Sequence, residues 1–111
     1  MKNVFEEIVK GKIPCDKVFE NERILAFRDI APQAPVHILI IPKKTIKNIE
    51  EMTEQDIPLL GEMLFVAKQI AEKEGVSEGF RLITNTGPDS GQLVPHLHFH
   101  LMGGRRLGSL G

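Results

Sequence analysis

Three of the four histidines in this chain occupy every second position of the segment PHLHFHLM at 95–102. Side chains on a β-strand point alternately to its two faces, so this spacing predicts a strand with His96, His98 and His100 on one face. The apolar residues between them then form the opposite face. The pattern therefore predicts a sheet that packs a core on one side and presents a row of imidazoles on the other.

A metal site is the first alternative for such a row, because imidazole is a common zinc ligand. Four residues of extended chain separate the outer two histidines by roughly 13 Å, which one ion with Zn–N bonds near ~2.1 Å does not bridge. At most two of the three could share an ion, with His37 as a third ligand, and the strand contains no carboxylate or thiolate. We therefore expect no metal and no cofactor.

The row of histidines is better suited to reaction at a phosphate group than to metal binding. Neutral imidazole is a good nucleophile near pH 7, and a neighbouring ring can hold a phosphate oxygen or protonate a leaving group. The glycine-containing loop at 87–92, just before the strand, offers backbone N–H groups for an anion. Such a loop is weak evidence by itself, and it supports phosphate binding here only because it precedes three histidines.

Hydrophobic periodicity and turn residues predict the remaining elements. They are a short helix at 4–10, strands at 17–20, 24–28, 36–41 and 80–85, a long helix from Thr53 or Asp56 to Glu74, and the histidine strand at 96–102. The turn Asn21-Glu22 is expected to join the first two strands as a hairpin, and Gly75 to end the long helix. Because strands and helices do not alternate regularly, the order predicts an α+β fold with a five-stranded, mainly antiparallel sheet.

The length and charge of the chain limit its domain number and the partners that it can bind. A chain of 111 residues is expected to form one domain, 1–111, and its 14 basic against 15 acidic residues argue against a nucleic-acid partner. The single cysteine, Cys15, cannot form an internal disulfide. No run approaches the ~18 apolar residues that a membrane span requires, so no membrane partner is expected. These features favour a cytoplasmic protein.

The segment HLHFHLM at 96–102 resembles the His-φ-His-φ-His-φ-φ signature (φ, apolar) of the histidine-triad (HIT) family of nucleotide-binding hydrolases and transferases. The similarity extends to FRDIAPQAPVH at 27–37, IPKK at 41–44, NTG at 85–87, GQ at 91–92 and GGR at 103–105. These motifs cover nearly the whole chain. Their order is typical of the branch that contains the purine-nucleoside phosphoramidases, the protein kinase C inhibitor-like proteins.

The resemblance implies a HIT-like fold, a homodimer and a purine nucleotide substrate. It implies that His98 attacks the α-phosphate and forms a nucleotidyl-histidine intermediate that water then hydrolyses. His100 would contact the phosphate and assist proton transfer, His96 would orient the nucleophile through its backbone carbonyl, and His37 would support the cluster. The implied nucleotide-binding residues are Asp29 for the ribose hydroxyls, Phe5, Ile8, Phe27 and Val4 for the purine, and Asn85 and Gln92 near the phosphate.

Two other functions remain open on the sequence alone: hydrolysis of dinucleoside polyphosphates, and nucleotide-dependent binding of partners with little turnover. Leu93 stands where several relatives carry a serine near the leaving group, and Thr45 stands where many carry a histidine. The tail also lacks the tryptophan of some relatives. The resemblance therefore implies neither serine assistance to the leaving group nor a substrate preference set by the C-terminal tail.

Overall fold

The fold is built on one antiparallel sheet in a computed structural model that describes residues 3–110. Its elements are α1 (Val4–Val9), β1 (Lys17–Glu20), β2 (Ile24–Arg28), β3 (Val36–Pro42), α2 (Ile57–Lys73), β4 (Phe80–Ile83) and β5 (Phe99–Gly103), with three short 3-10 turns at Ile49–Glu51, Glu54–Asp56 and Pro88–Ser90. The five strands lie in the order β1-β2-β3-β5-β4. This arrangement confirms the predicted α+β class and five-stranded sheet.

The β1–β2 hairpin turns at Asn21, as predicted. Its side-chain oxygen accepts hydrogen bonds from the backbone N–H groups of Arg23 and Ile24, both at 2.8 Å. Asparagine is favoured in turns because its short side chain bonds the backbone two residues ahead in this way. The turn sets the register of the hairpin, in which Glu20 of β1 lies opposite Leu25 of β2.

The long helix α2 has both ends defined by local chemistry. It begins at Ile57, one residue beyond the later of the two predicted starts, because Glu54–Asp56 forms a separate 3-10 turn. It ends at Lys73, one residue before the predicted end, with Glu74 as its cap. Gly75 follows with a φ of +76°, the left-handed conformation that glycine adopts without strain. The Gly75 N–H donates to the Glu72 carbonyl at 3.2 Å and the Val76 N–H to the Ala71 carbonyl at 2.9 Å, as in a Schellman motif.

The two faces of the sheet carry different clusters. On one face, alternate residues of β3 and β5 such as Ile38, Ile40 and Leu101 pack against α2, and all three are fully buried. Each buried aliphatic side chain stabilises the fold by about 1.5–3 kcal/mol. On the other face, Leu39 packs with Phe5 of the short helix α1. No helix among residues 3–110 is long and apolar enough to cross a membrane.

The predicted histidine strand is shorter than expected. β5 begins at Phe99, three residues after the predicted start at His96. If the register of β5 with β3 continued before Phe99, Leu97 would lie opposite Pro42, which has no N–H to donate. The Leu97 N–H donates instead to the Ile46 carbonyl at 2.6 Å. The predicted alternation still holds within the strand, where Phe99 packs on the α2 side and His100 faces the other way.

Three other predicted boundaries need small corrections. β4 ends at Ile83, two residues before the predicted end at Asn85, and β3 includes Pro42. Helix α1 ends at Val9, and Lys10 caps it. The Thr84 hydroxyl donates to the His98 carbonyl at 2.8 Å, so the segment beyond β4 supports the histidine loop without being a strand.

Candidate active site

All four histidines lie on the sheet face opposite α2, in a row along the β3–β5 pair that runs from His37 at the start of β3 to His96 beside Pro42 at its end. His37 of β3 and His100 of β5 have ring centroids 5.2 Å apart. The His98 ring lies 5.0 Å from the His100 ring. His96 is fully buried behind them, and its carbonyl contacts His98. The structure thus brings together the four histidines that the sequence analysis selected.

The hydrogen bonds of His96 define its protonation. Its Nε2 lies 2.7 Å from the Pro42 carbonyl oxygen, which can only accept, so Nε2 carries the proton and donates. Its Nδ1 lies 2.9 Å from the side-chain amide nitrogen of Asn3, which can only donate, so Nδ1 accepts. Both ring nitrogens are satisfied by the neutral ring. A protonated His96 would leave one N–H facing another N–H.

His98 presents a free lone pair by the same argument. Its Nδ1 lies 2.7 Å from the His96 carbonyl oxygen and therefore donates its proton to it. In the neutral ring the other nitrogen, Nε2, then has an unprotonated lone pair. A nucleophilic imidazole requires this arrangement, and the backbone of a fully buried residue imposes it.

His37 and His100 are joined by a hydrogen bond whose direction is also determined by a backbone contact. The Gln33 backbone N–H donates to Nδ1 of His37 at 3.0 Å, so Nε2 of neutral His37 carries the proton. That Nε2 lies 3.0 Å from Nδ1 of His100, which accepts. Nε2 of neutral His100 therefore carries a proton and is a hydrogen-bond donor. The pair offers an N–H group beside the nucleophile.

Burial is the largest cause of the lowered pKa of all four histidines. The effect is greatest for His100, where burial and the adjacent His98 and His37 rings lower the pKa to about 4. His98 is therefore neutral at pH 7, as a nucleophile requires. His100 is also neutral in the absence of nucleotide, so it acts as an N–H donor and not as an imidazolium.

These pKa values make stability depend on pH. A histidine whose folded-state pKa lies below its unfolded value, about 6.5, binds more protons when unfolded. Its stabilising contribution is complete above that pH and is lost as pH falls toward the folded value. We expect the melting temperature to fall between pH 7 and pH 5, and a loss of only ~1 kcal/mol already shifts it by roughly 4 °C. Calorimetric scans should show a weaker dependence in His100→Gln; an unchanged melting temperature in wild type would contradict the lowered pKa values.

A cavity of about 320 Å³ opens beside the histidines. Asp29 stands at its edge, with Oδ1 accepting from the Ala31 N–H at 2.8 Å and Oδ2 3.4 Å from Nε2 of His37. The remaining acceptor capacity of this carboxylate faces the cavity. The lining residues are Asp29, Ala31, Gln33, His37, Ile83, Asn85, His100 and Met102.

A second, mainly apolar cavity of about 330 Å³ lies under helix α1. The Phe5 ring stands edge-on to the Phe27 ring at 5.6 Å and to the His98 ring at 5.0 Å. Asp29 lines this cavity as well as the first, so it stands at their junction. The lining residues are Val4, Phe5, Ile8, Ile13, Pro14, Cys15, Phe27, Arg28, Asp29, Ile30 and Leu39.

Gln92 lies apart from these two cavities. Its side-chain amide donates to the Lys47 and Val94 carbonyls at 2.8 and 3.0 Å, and accepts from Asn48 and from the Gly87 N–H at 3.1 and 2.9 Å. With all four bonds made inside the protein, it braces the loop at 87–92. It lines a separate cavity of about 490 Å³ together with Leu93, whose side chain is 80% exposed.

The two lysines of the IPKK motif at 41–44 are ion-paired away from the histidines. Lys43 contacts Glu20 at 2.6 Å, and Lys44 contacts Asp56 at 2.6 Å. Thr45, which stands where many relatives of the resembled family carry a histidine, donates to Glu6 of α1 at 2.6 Å. This segment therefore anchors the short helix.

Asp29, His37 and His100 place ligand atoms within 4.8 Å of one another, a spacing that a metal ion could bridge. The hydrogen bonds do not suit one. A metal at Nε2 of His37 needs a lone pair there and the proton on Nδ1, whereas Nδ1 already accepts the Gln33 N–H. Binding an ion would break that bond or turn the ring, so the donor set fits a hydrogen-bonded pair better than a metal.

Three residues that organise the site were not predicted from the sequence. Asn3 and Pro42 orient His96, and Gln33 orients His37. The only sequence signal at Asn3 was its position before a predicted helix, where asparagine is a favoured cap. Gln33 and Pro42 act through backbone atoms, which the sequence pattern does not distinguish.

Known proteins resemble this chain in both sequence and fold. A HIT domain profile matches residues 10–107. The purine nucleoside phosphoramidase of Escherichia coli K12 is 46% identical over 110 residues, covering 98% of this chain and 92% of that protein. The adenylylsulfatase HINT1 of Arabidopsis thaliana is 46% identical over 106 residues, covering 94% of this chain and 72% of that protein.

Among solved structures, a HIT family hydrolase from Legionella pneumophila Philadelphia 1 superimposes with a TM-score of 0.94. It is 49% identical in sequence, and the match covers 96% of each chain. The family profile, the relatives and the shared fold agree with the histidine row from which the sequence analysis began. This chain belongs to the HIT family, as one of its hydrolases.

Proposed function

We propose that this protein hydrolyses the bond between the α-phosphate of a purine nucleoside monophosphate and a leaving group, with a phosphoramidate P–N bond as the preferred target. The observation that carries the proposal is the hydrogen bond from Nδ1 of His98 to the His96 carbonyl, which leaves Nε2 as a free nucleophile. Names of relatives support the same class, since one is a purine nucleoside phosphoramidase and another an adenylylsulfatase.

The reaction would take two steps. Nε2 of His98 forms a bond to the α-phosphorus while the bond to the leaving amine breaks, and its electron pair departs with the amine, which takes up a proton. Water then attacks the phosphorus, and the bond to Nε2 breaks. Over both steps one water is consumed: its OH remains on the nucleotide, and its proton balances the one taken by the amine.

Neighbouring groups would position the nucleotide. The Nε2–H of His100 can donate to a phosphate oxygen, and Asn85 lines the same cavity. The Asp29 carboxylate, at the junction of the two cavities, would accept from the ribose hydroxyls. Phe5 and Phe27 in the apolar cavity would contact the purine. A nucleotide bound in this way spans both cavities and places its α-phosphate near His98.

A substrate panel with the purified full chain tests this proposal. Adenosine 5′-phosphoramidate, diadenosine tetraphosphate and adenylyl sulfate should be compared by kcat/KM, with His98→Asn as the control for contaminating activity. We expect the phosphoramidate to be preferred. Preference for the dinucleotide would favour polyphosphate hydrolysis instead. Nucleotide binding without turnover of any substrate would favour a binding protein.

We also propose that the working form is a homodimer. Helix α2 exposes apolar side chains that a monomer leaves in water, including Leu64 and Phe65, the latter 58% exposed. β4 is an edge strand of the sheet, and Phe80 at its start is partly exposed. Edge strands and apolar patches of this kind are natural sites for pairing with a second copy.

Sedimentation at micromolar concentration should therefore show a species of twice the 12.4 kDa chain mass. Phe65→Asp should shift the protein toward monomer, because it places a charge on the apolar patch. The exposed Gln55→Glu, in the 3-10 turn before α2, adds the same single negative charge outside that patch and serves as the control. A wild-type protein that sediments only as a monomer would contradict the proposal.

The cysteine content of the chain bears on its cellular location. Cys15 is the single cysteine and its thiol is partly buried. Proteins without structural disulfides are typical of reducing compartments. We propose the cytoplasm as the site of action, which fractionation of cells expressing the tagged chain would test.

A further inference from the structure

The side-chain amide of Asn3 makes two bonds in opposite directions. Its oxygen accepts the Glu6 backbone N–H at 3.0 Å and so caps helix α1. Its nitrogen donates to Nδ1 of His96 at 2.9 Å. A residue that only capped the helix would need the oxygen alone. The amide nitrogen adds a direct link from α1 to the histidine row.

The helix cap fixes which way this amide faces. Turning it by 180° would place the amide nitrogen against the Glu6 N–H and lose the cap. The nitrogen is therefore held toward His96, where it accommodates a lone pair on Nδ1 and opposes a proton. Since the Pro42 carbonyl already requires a proton on Nε2, the two contacts together allow only the neutral ring.

Other charged groups act on His96 less directly. Glu6, on α1, favours the charged ring, while the neighbouring His98 disfavors it. Glu6 accepts a hydrogen bond from the Thr45 hydroxyl at 2.6 Å and pairs with Lys10 at 3.6 Å. Among the described residues, Asn3 is the side chain that bonds Nδ1 of His96 directly.

A neutral His96 matters if His98 is the nucleophile, so the inference rests on the proposed function. When Nε2 of His98 bonds to phosphorus, Nδ1 keeps its proton and the ring becomes a cation. The His96 carbonyl at 2.7 Å stabilises that charge through a charge-assisted hydrogen bond. A second positive charge on the His96 ring would oppose it.

We infer that Asn3 is a positioning residue for the reaction: it holds His96 as the neutral Nε2–H tautomer and ties that ring to the helix that carries Phe5 of the purine-side cavity.

Two substitutions separate this role from simple capping. Asp and Ser are both good N-cap residues, so Asn3→Asp and Asn3→Ser each keep the cap on α1. Asn3→Asp replaces the donor that faces His96 by a charged acceptor. Asn3→Ser removes the donor without adding charge, because the shorter side chain does not extend past the cap.

The measurement is nitrogen-15 NMR of the imidazoles as a function of pH, together with steady-state kinetics. We expect wild-type His96 to be the Nε2–H tautomer at pH 7. In Asn3→Ser the pKa of His96 should rise, because the donor that opposes a proton on Nδ1 is lost. In Asn3→Asp it should rise further, by about one unit or more, because a negative charge is added as well. We expect kcat of Asn3→Asp to fall about three- to tenfold, with KM for the nucleotide little changed.

Two results would overturn the inference. One is wild-type His96 in the Nδ1–H tautomer, which needs no variant to observe. The other is a wild-type pKa of His96 and wild-type kinetics in Asn3→Ser, since that would leave Asn3 as a cap only. Failure of the proposed function would look different: wild type would turn over no substrate, while the NMR titrations would still report on Asn3 and His96.

Discussion

Replacing His98 by Asn should lower turnover of adenosine 5′-phosphoramidate by more than about 10³-fold, the loss expected when a covalent nucleophile is removed. The substitution is well matched to the site. The Asn amide nitrogen can take the place of Nδ1 and keep the bond to the His96 carbonyl, which His98 makes at 2.7 Å. Only the attacking Nε2 is lost. Binding of adenosine monophosphate, measured by calorimetry, should persist.

The covalent intermediate gives an independent measurement. Rapid mixing of wild type with the phosphoramidate, followed by mass spectrometry under conditions that spare acid-labile adducts, should find one nucleotidyl group on His98. Because the lowered pKa of His98 keeps it neutral, kcat/KM should hold its plateau below pH 6.5 before it falls. Label on His96 or His100, or near wild-type turnover by the His98→Asn protein, would show that the nucleophile is assigned to the wrong residue.

The second large effect is expected at Asp29. If its carboxylate accepts from the ribose hydroxyls, Asp29→Ala should weaken binding of ribonucleotides by roughly 1.5–3 kcal/mol, the range for hydrogen bonds to charged groups. Asp29 also holds the local turn, since Oδ1 accepts from the Ala31 N–H at 2.8 Å. Asp29→Asn keeps an oxygen for that turn and removes only the charge, so it separates the two roles.

Calorimetry with paired ligands provides the control. A 2′,3′-dideoxy nucleotide lacks the hydroxyls and should bind wild type and Asp29→Asn with similar affinity. Adenosine monophosphate should bind the variant more weakly than wild type. An equal loss for both ligands would mean that Asp29 supports the shape of the pocket and not the ribose, and would refute this assignment.

The sequence by itself determined the sheet and its two faces. Alternation of histidines with Phe99 and Leu101 sufficed to place the apolar residues against a core, because a strand's side-chain period of two is independent of its surroundings. Asn21 predicted the hairpin, and Gly75 predicted where α2 stops. Both predictions were possible because each residue acts on backbone atoms only a few residues away. The family motifs then selected the histidines and Asp29 as candidate site residues.

Only the tertiary structure decided how those residues are held. β5 starts at Phe99 because the Leu97 N–H bonds to Ile46, a partner that no local pattern reveals. Gln92 was selected from its motif. In the structure its side-chain amide hydrogen-bonds the Gly87 N–H and the Lys47 carbonyl and so stabilises the loop at 87–92.

The protonation of the site also depends on distant contacts. His96 takes its tautomer from Asn3 and Pro42, which lie 93 and 54 residues away in the chain. A hydrogen bond directs a ring nitrogen only when folding brings donor and acceptor within about 3 Å, and sequence spacing carries no information about that approach. The family resemblance therefore already implied the contact of His98 with the His96 carbonyl two residues away, whereas the neutral Nε2–H tautomer of the His96 ring depends on the fold.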